Sequence, residues 1–197
     1  MSDSDVEGAI ELADDLRPNL ATLIVGGAAI ALVSGMFLPW SVAIASTMLG
    51  ALMIAGADVD ARTCLLPDTV TWGAAGVGIA AAPLLDPGDP WLAVVAALTR
   101  AFGTAAALDL LRRCYAGIRQ REGLGLGDVK LAGALGAWLP LDMIPVCFGL
   151  AASAALVAAT AAHLRGQSVE ATTKLPFGAF LCPALWLVFF AVTLPGR

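Results

Sequence analysis

Four aspartates lie in two polar breaks of an otherwise apolar chain. The first break, DVDARTCLLPDTV, contains Asp58, Asp60 and Asp68, and the second ends on Asp128 in GLGLGDVK. Two carboxylates held close together cannot both ionise cheaply, so such a pair shares one proton. The ionised member can act as a base on water while the protonated member polarises a carbonyl, which is the chemistry of aspartic peptidases. The alternative is that each aspartate caps a helix end in water.

Most of the chain is too apolar for a soluble domain. Of its 197 residues 59% are hydrophobic and 14% are charged, whereas a soluble domain carries about a quarter charged residues. The apolar residues form runs of roughly 17 to 22, long enough for a helix to cross a bilayer. We therefore predict an all-α fold, a polytopic membrane helical bundle, in preference to an alanine-rich soluble bundle. The expected partner is the lipid bilayer, and no nucleic acid is expected.

These runs predict about seven transmembrane helices. The segment LPLDMIP divides the long apolar stretch 131–164 into two spans, because a proline in a helix interior disrupts the helix. The other five spans are Asn19–Leu38, Ser41–Ala57, Val70–Leu85, Trp91–Leu111 and Leu175–Leu194. Abundant Gly and Ala let membrane helices approach closely, so we expect a tight bundle.

The basic residues predict the orientation of the bundle. The breaks after the first, third and fifth spans contain Asp86, Asp89 and Asp142 but no Lys or Arg. Cytoplasmic loops carry the excess of basic residues, so the N-terminus and the breaks with Asp60 and Asp128 are expected in the cytoplasm. The basic residues of the breaks after the second, fourth and sixth spans are Arg62, Arg112, Arg113, Arg119, Arg121, Lys130, Arg165 and Lys174.

Two segments differ in charge, the acidic tail 1–19 and the apolar domain 20–197. The tail has six acids and one base, and the rest of the chain has ten of each, so the whole net charge of −5 belongs to the tail. We expect a solvated cytoplasmic tail, with a contact for a basic partner as the alternative. The four cysteines lie far apart without a CxxC pair, which predicts neither a metal site nor a disulfide framework. The paired-aspartate chemistry needs no cofactor.

The residues around Asp128 and after Pro67 suggest how the site is shaped. Gly125 and Gly127 remove bulk beside Asp128 and permit backbone conformations closed to other residues, so a peptide substrate could lie along the main chain. Lys130 either biases the field at the site or extends to the lipid headgroups, and we favour the second. Asp68 follows Pro67 and is expected to stabilise the first turn of the third span.

Three segments resemble the signatures of the type IV prepilin peptidases, the GxGD intramembrane aspartic peptidases. REGLGLGDVKLAGALGAWLP is similar to the second signature of that family, and VDARTCLLPDTVT is similar to the first, an aspartate followed after five residues by Leu-Pro-Asp. KLPFGAFLCPALW resembles its Pro-Phe-Gly segment. The segments occur in the family's order, and the resemblance covers about residues 20–195.

The resemblance implies a function and a catalytic pair. Asp60 and Asp128 would be catalytic, because Asp60 has the family's spacing to Leu66-Pro67-Asp68 and Asp58 does not. The family removes short basic leaders from prepilins and pseudopilins of pilus, Tad and type II secretion systems, at the cytoplasmic face of the bacterial inner membrane. The chain resembles the short members without an N-terminal cysteine-rich domain, so methylation of the new terminus is not expected.

Two rival functions are compatible with parts of the sequence. A proton-coupled transporter or channel could use a relay of Asp60, Arg100, Asp109 and Asp128. That class favours internal repeats and charges near the bilayer midplane, whereas no repeat is visible and the aspartates lie at span ends. A catalytically inactive membrane subunit of a secretion system would retain the motifs without cleaving anything.

Overall fold

The computed structural model describes residues 16–119, 125–165 and 176–195. Within these ranges the chain forms seven α-helices, one 3-10 turn and no strand, which confirms the predicted all-α fold. The helices are α1 (Leu20–Phe37), α2 (Trp40–Thr63), α3 (Asp68–Leu85), α4 (Pro90–Arg119), α5 (Leu126–Trp138), α6 (Ile144–Leu164) and α7 (Gly178–Thr193), and the turn is Leu141–Met143. Residues 1–15 of the acidic tail, Arg121, Lys174 and the side chain of Arg119 lie outside the described part.

Two helices extend beyond the limits of their apolar runs. Helix α2 continues past Ala57 to Thr63, and α4 continues past Leu111 to Arg119. The polar end of α2 stays helical because its charged side chains find partners at helical spacing, as Asp58 and Arg62 do at i and i+4. Asp60 therefore lies inside a helix, and its direction is fixed by that helix.

Four segments are long and apolar enough to cross a membrane, and a fifth is shorter. The four are Leu20–Phe37, Trp40–Thr63, Pro90–Ile118 and Leu141–Leu164, and the shorter apolar helix is Gly178–Thr193. Helix α5 has 13 residues and is therefore about 20 Å long, less than the roughly 30 Å of a bilayer core. Its residues from Leu131 to Trp138 are all buried, so the other helices surround it.

The outside of the bundle is apolar. Large hydrophobic side chains are more than half exposed on several helices, for example Ile24, Trp40, Phe102 and Leu156. So many exposed large hydrophobic side chains are typical of a protein that faces lipid or another apolar partner. The exterior therefore fits the multi-pass membrane bundle predicted from composition.

The ends of four helices meet at one end of the bundle. Helices α2, α3, α5 and α7 share one buried core, and α4 packs along α5. The C-terminal end of α2 meets the N-terminal ends of α3, α5 and α7, because the chain alternates direction between neighbouring helices. Both polar breaks that contain the candidate aspartates thus reach the same end.

Candidate active site

Asp60 lies in the last turn of α2 and is enclosed by the start of α7. Its side chain is buried, and the residue is only 5% exposed. The backbone N–H of Ala179 donates to Oδ2 at 2.7 Å, and the backbone of Gly178 forms a further hydrogen bond to this carboxylate. A buried carboxylate needs such donors, and the N-terminal end of a helix supplies them. These bonds fix the orientation of the Asp60 carboxylate.

Gly178 leaves no room for a side chain at this approach unless the Asp60 carboxylate shifts. A Cβ added there would come within 2.9 Å of both Cγ and Oδ2 of Asp60, closer than real Cβ contacts. The absence of a side chain lets the first turn of α7 press against the carboxylate. Sequence reasoning assigned no role to Gly178 or Ala179, although the Pro-Phe-Gly segment ahead of an apolar run was the available signal.

Asp128 occupies the first turn of α5 and lies near Asp60. The residue is half-buried, and its carboxylate is close enough to that of Asp60 for a direct electrostatic interaction. It also accepts a hydrogen bond from the backbone of Gly125, the residue that caps the helix. This is the reach-back contact of a capping box. The structure therefore brings together two carboxylates that are 68 positions apart in the sequence.

The two glycines before Asp128 have different roles, and one part of the prediction was wrong. A Cβ on Gly127 would lie 3.1 Å from that of Leu66, so this glycine lets α5 pack against the connection between α2 and α3. Gly125 is exposed, and an added Cβ would meet Oδ2 of Asp128 at an ordinary 3.5 Å. Its backbone, with φ of −71°, is open to any residue, so no special conformation is required there.

Lys130 binds a carboxylate, a contact that differs from the expected extension to lipid headgroups. Its Nζ donates to Oδ1 of Asp68 at 2.5 Å. Asp68 stands in the first turn of α3 directly after Pro67, where it was expected. The nearby carboxylate draws the lysine sideways, so the ion pair joins the starts of α3 and α5 beside the candidate pair.

Asp58 points away from Asp60. Its Oδ2 accepts hydrogen bonds from the backbone N–H of Asn19 at 2.8 Å and from Arg62 at 2.9 Å. Two residues on a helix are about 200° apart, so Asp58 connects α2 to the start of α1 while Asp60 faces α7. The same helix thus carries one carboxylate in an ion pair and one in the candidate site.

The four-residue relay of the transporter hypothesis is not assembled. Asp109 pairs with Arg112 at 3.3 Å and with Arg113 at 2.6 Å on its own helix. The Nε–H of Arg100 donates to the carbonyl of Gly136 at 3.2 Å, near the opposite end of α5 from Asp128. Neither residue contacts the Asp60–Asp128 pair through any interaction in the described ranges.

A thiol also lies near the pair. The buried thiol of Cys182 on α7 is close enough to interact electrostatically with both carboxylates. Across residues 16–119, 125–165 and 176–195, no three His, Cys, Asp or Glu side chains converge as metal ligands. The two carboxylates are the candidate acid–base groups of this site.

A family model described as the type IV leader peptidase family matches residues 47–160. The matched range is more than half of the chain and includes both Asp60 and Asp128. The chain belongs to the type IV leader peptidase family. Membership confirms the resemblance seen in the sequence and the predicted enzyme class, a peptidase.

Curated relatives of this family member fall into two lengths. Leader peptidase HopD of Escherichia coli is 35% identical over 142 residues, which cover 70% of this chain and 86% of the relative. The prepilin leader peptidase/N-methyltransferases of Burkholderia pseudomallei and Neisseria gonorrhoeae are each 30% identical, covering 80% and 77% of this chain. The chain spans about half, 50%, of the length of these two longer relatives. No solved structure matches it.

Proposed function

We propose that this family member is a membrane-embedded aspartic endopeptidase that removes the short basic leader from type IV prepilins or pseudopilins. Asp60 and Asp128 are the catalytic pair in this proposal. The observation that carries it is that these two carboxylates lie at one end of the bundle, near enough to interact electrostatically. The names of the relatives, leader peptidase and prepilin leader peptidase, support the substrate class.

The proposed chemistry uses both carboxylates and one water. With one proton shared by the pair, the ionised member takes a proton from water as the water attacks the scissile carbonyl. The protonated member donates to the carbonyl oxygen and stabilises the tetrahedral intermediate. Return of a proton to the leaving amine breaks the C–N bond and restores the pair. The hydrogen bond from Ala179 holds the Asp60 carboxylate still during these transfers.

The proposed substrate path follows the backbone beside Asp128. Gly125 is exposed and adjoins the Asp128 carboxylate with no Cβ between them. An extended peptide can therefore approach the main chain closely at this residue and hydrogen-bond to it, as in strand addition. The Asp68–Lys130 ion pair fixes the spacing of α3 and α5 on the same side.

We propose that this end of the bundle faces the cytoplasm from the bacterial inner membrane. The support is the concentration of Lys and Arg in the breaks at this end. Two exposed thiols, Cys64 and Cys114, lie toward that side, and Cys147 and Cys182 are buried. A membrane-impermeant maleimide is expected to label Cys64 and Cys114 in inside-out vesicles and to spare them in right-side-out vesicles. The reverse pattern would contradict the orientation.

Cleavage of a defined substrate tests the proposed activity. Purified protein in detergent is mixed with a full-length prepilin, and leader removal is followed by mass spectrometry. We expect cleavage by the natural chain and by Asp58→Asn, a matched control on the same helix that faces α1. Folded natural protein that leaves several prepilins and pseudopilins intact would reject the proposal in favour of an inactive secretion-system subunit.

A further inference from the structure

A notch opens at the end of the bundle opposite Asp60. It is a cavity of about 280 Å³ between the end of α3, the start of α4 and the end of α5. The notch lies where α5 ends, at Ala137 and Trp138. Two charged residues, Arg100 and Asp86, line it together with apolar walls. The main wall residues are Ala82, Leu92, Ala93, Ala137 and Trp138.

Arg100 presents unused hydrogen-bond donors to this notch. Its Nε–H is bound to the carbonyl of Gly136 at 3.2 Å, and its terminal NH₂ groups make no hydrogen bond or ion pair within the described ranges. A guanidinium has five donors in a planar fork, so four of them remain available. A cation inside a membrane-spanning helix is expensive unless an anion joins it. An anionic group from outside the chain would therefore stabilise Arg100 in this notch.

Asp86 supplies the opposite charge at the rim. It caps the end of α3 and is exposed, and its Oδ1 accepts only a long 3.4 Å hydrogen bond from the backbone of Gly88. Among the described residues Asp86 forms no ion pair, with Arg100 or with any other base. A ligand with both charges fits this arrangement, with its anion on Arg100 and its cation on Asp86.

We propose that the notch binds an aminophospholipid, with the phosphate on Arg100 and the ammonium group on Asp86. Arginine recognises phosphate through two parallel N–H···O bonds, and an ammonium group donates up to three. The apolar walls receive the start of the acyl chains. The chemistry of both ends of the notch selects a phosphoethanolamine headgroup over a glycerol headgroup, which has no cation.

Native mass spectrometry of the full chain in detergent tests this binding. Phosphatidylethanolamine, phosphatidylglycerol and inorganic phosphate are titrated separately. We expect bound phosphatidylethanolamine with at least about tenfold preference over phosphatidylglycerol, because only its ammonium group adds a charge-assisted hydrogen bond to Asp86. Arg100→Gln is expected to remove both lipids, whereas Arg113→Gln, a matched control on the same helix, keeps them.

A substitution at Asp86 tests the proposal independently, because it leaves the contacts of Arg100 with α5 unchanged. Asp86→Asn is expected to abolish the preference for phosphatidylethanolamine and to leave phosphatidylglycerol binding intact. Asp89→Asn is its control, because Asp89 lies in the same break but does not line the notch. Equal affinities for both lipids in the natural chain would overturn the proposal, as would an unchanged preference in Asp86→Asn. Inorganic phosphate that displaces lipid at equal concentration would identify a free phosphate site instead.

Discussion

The two ends of the bundle use aspartate in opposite ways. At one end Asp60 is 5% exposed and held by the backbone of a different helix. At the other end Asp86 and Asp89 are exposed and bind backbone N–H groups two and three residues further along their own chain segment. Local turn and cap hydrogen bonds account for how these two exposed carboxylates are held. The comparison teaches that enclosure by a distant helix, more than residue type, distinguishes a candidate catalytic carboxylate.

The largest expected effect on prepilin cleavage comes from removing either carboxylate of the candidate catalytic pair. Asp60→Asn and Asp128→Asn should each lower prepilin cleavage at least about a hundredfold, because acid–base catalysis is worth that much or more. Asp89→Asn should cleave at the natural rate. The rates are measured by gel shift of the substrate, with thermal unfolding in detergent to verify folding. A variant at Asp60 or Asp128 that cleaves normally would remove that residue from the mechanism.

A substitution that crowds the Asp60 carboxylate tests the importance of its enclosure without changing any charge. Gly178→Ala places a Cβ within 2.9 Å of Asp60 Oδ2, so the carboxylate must shift and weaken its bond to Ala179. We expect a loss of activity of about ten- to a hundredfold, because small misplacements at a reacting centre are costly.

Gly76→Ala is the matched control for this substitution. Gly76 lies within α3, and nothing stands within 4 Å of an added Cβ. Its activity should equal that of the natural chain. If Gly178→Ala cleaves as fast as Gly76→Ala, the close approach of α7 has no catalytic importance.

A third substitution tests the close packing between α4 and α5. A Cβ on Gly136 would collide with Thr104 Oγ1 and the carbonyl oxygen of Arg100. Gly136→Ala should therefore lower stability by about 1 to 3 kcal/mol through overpacking, seen as a reduced unfolding temperature in detergent. Gly103→Ala, with open space around its added Cβ, is the control. Equal unfolding temperatures would mean that α4 and α5 separate easily.

The smallest effect is expected at the Asp68–Lys130 ion pair. The two side chains are 65% and 31% exposed, and exposed pairs contribute about 0 to 1 kcal/mol. Lys130→Gln and Asp68→Asn should each change stability within that range and reduce cleavage only a few-fold. A double-mutant cycle measures their coupling. Loss of cleavage as large as in Asp128→Asn would show that Lys130 acts on the substrate or on the carboxylates directly.

The helices were predictable because their cause is local. In lipid every backbone polar group must be satisfied within its own helix, so a long apolar run already implies a span. That is why all seven predicted helices appear, including the division at LPLDMIP. The C-terminal limits of α2 and α4 were missed because their last turns are polar. Ion pairs such as Asp109–Arg113 stabilise these turns, and a search for apolar runs does not detect ion pairs.

The sequence by itself determined the helical bundle, the order of the motifs and the two aspartates worth testing. Only the tertiary structure decided what each charged side chain meets: Asp60 meets Ala179 across 119 positions, and Lys130 meets Asp68 across 62. These contacts depend on how helices pack, which is set by side-chain shape at many positions together. A linear pattern contains the period of each helix, but it does not contain the face that a neighbouring helix will cover.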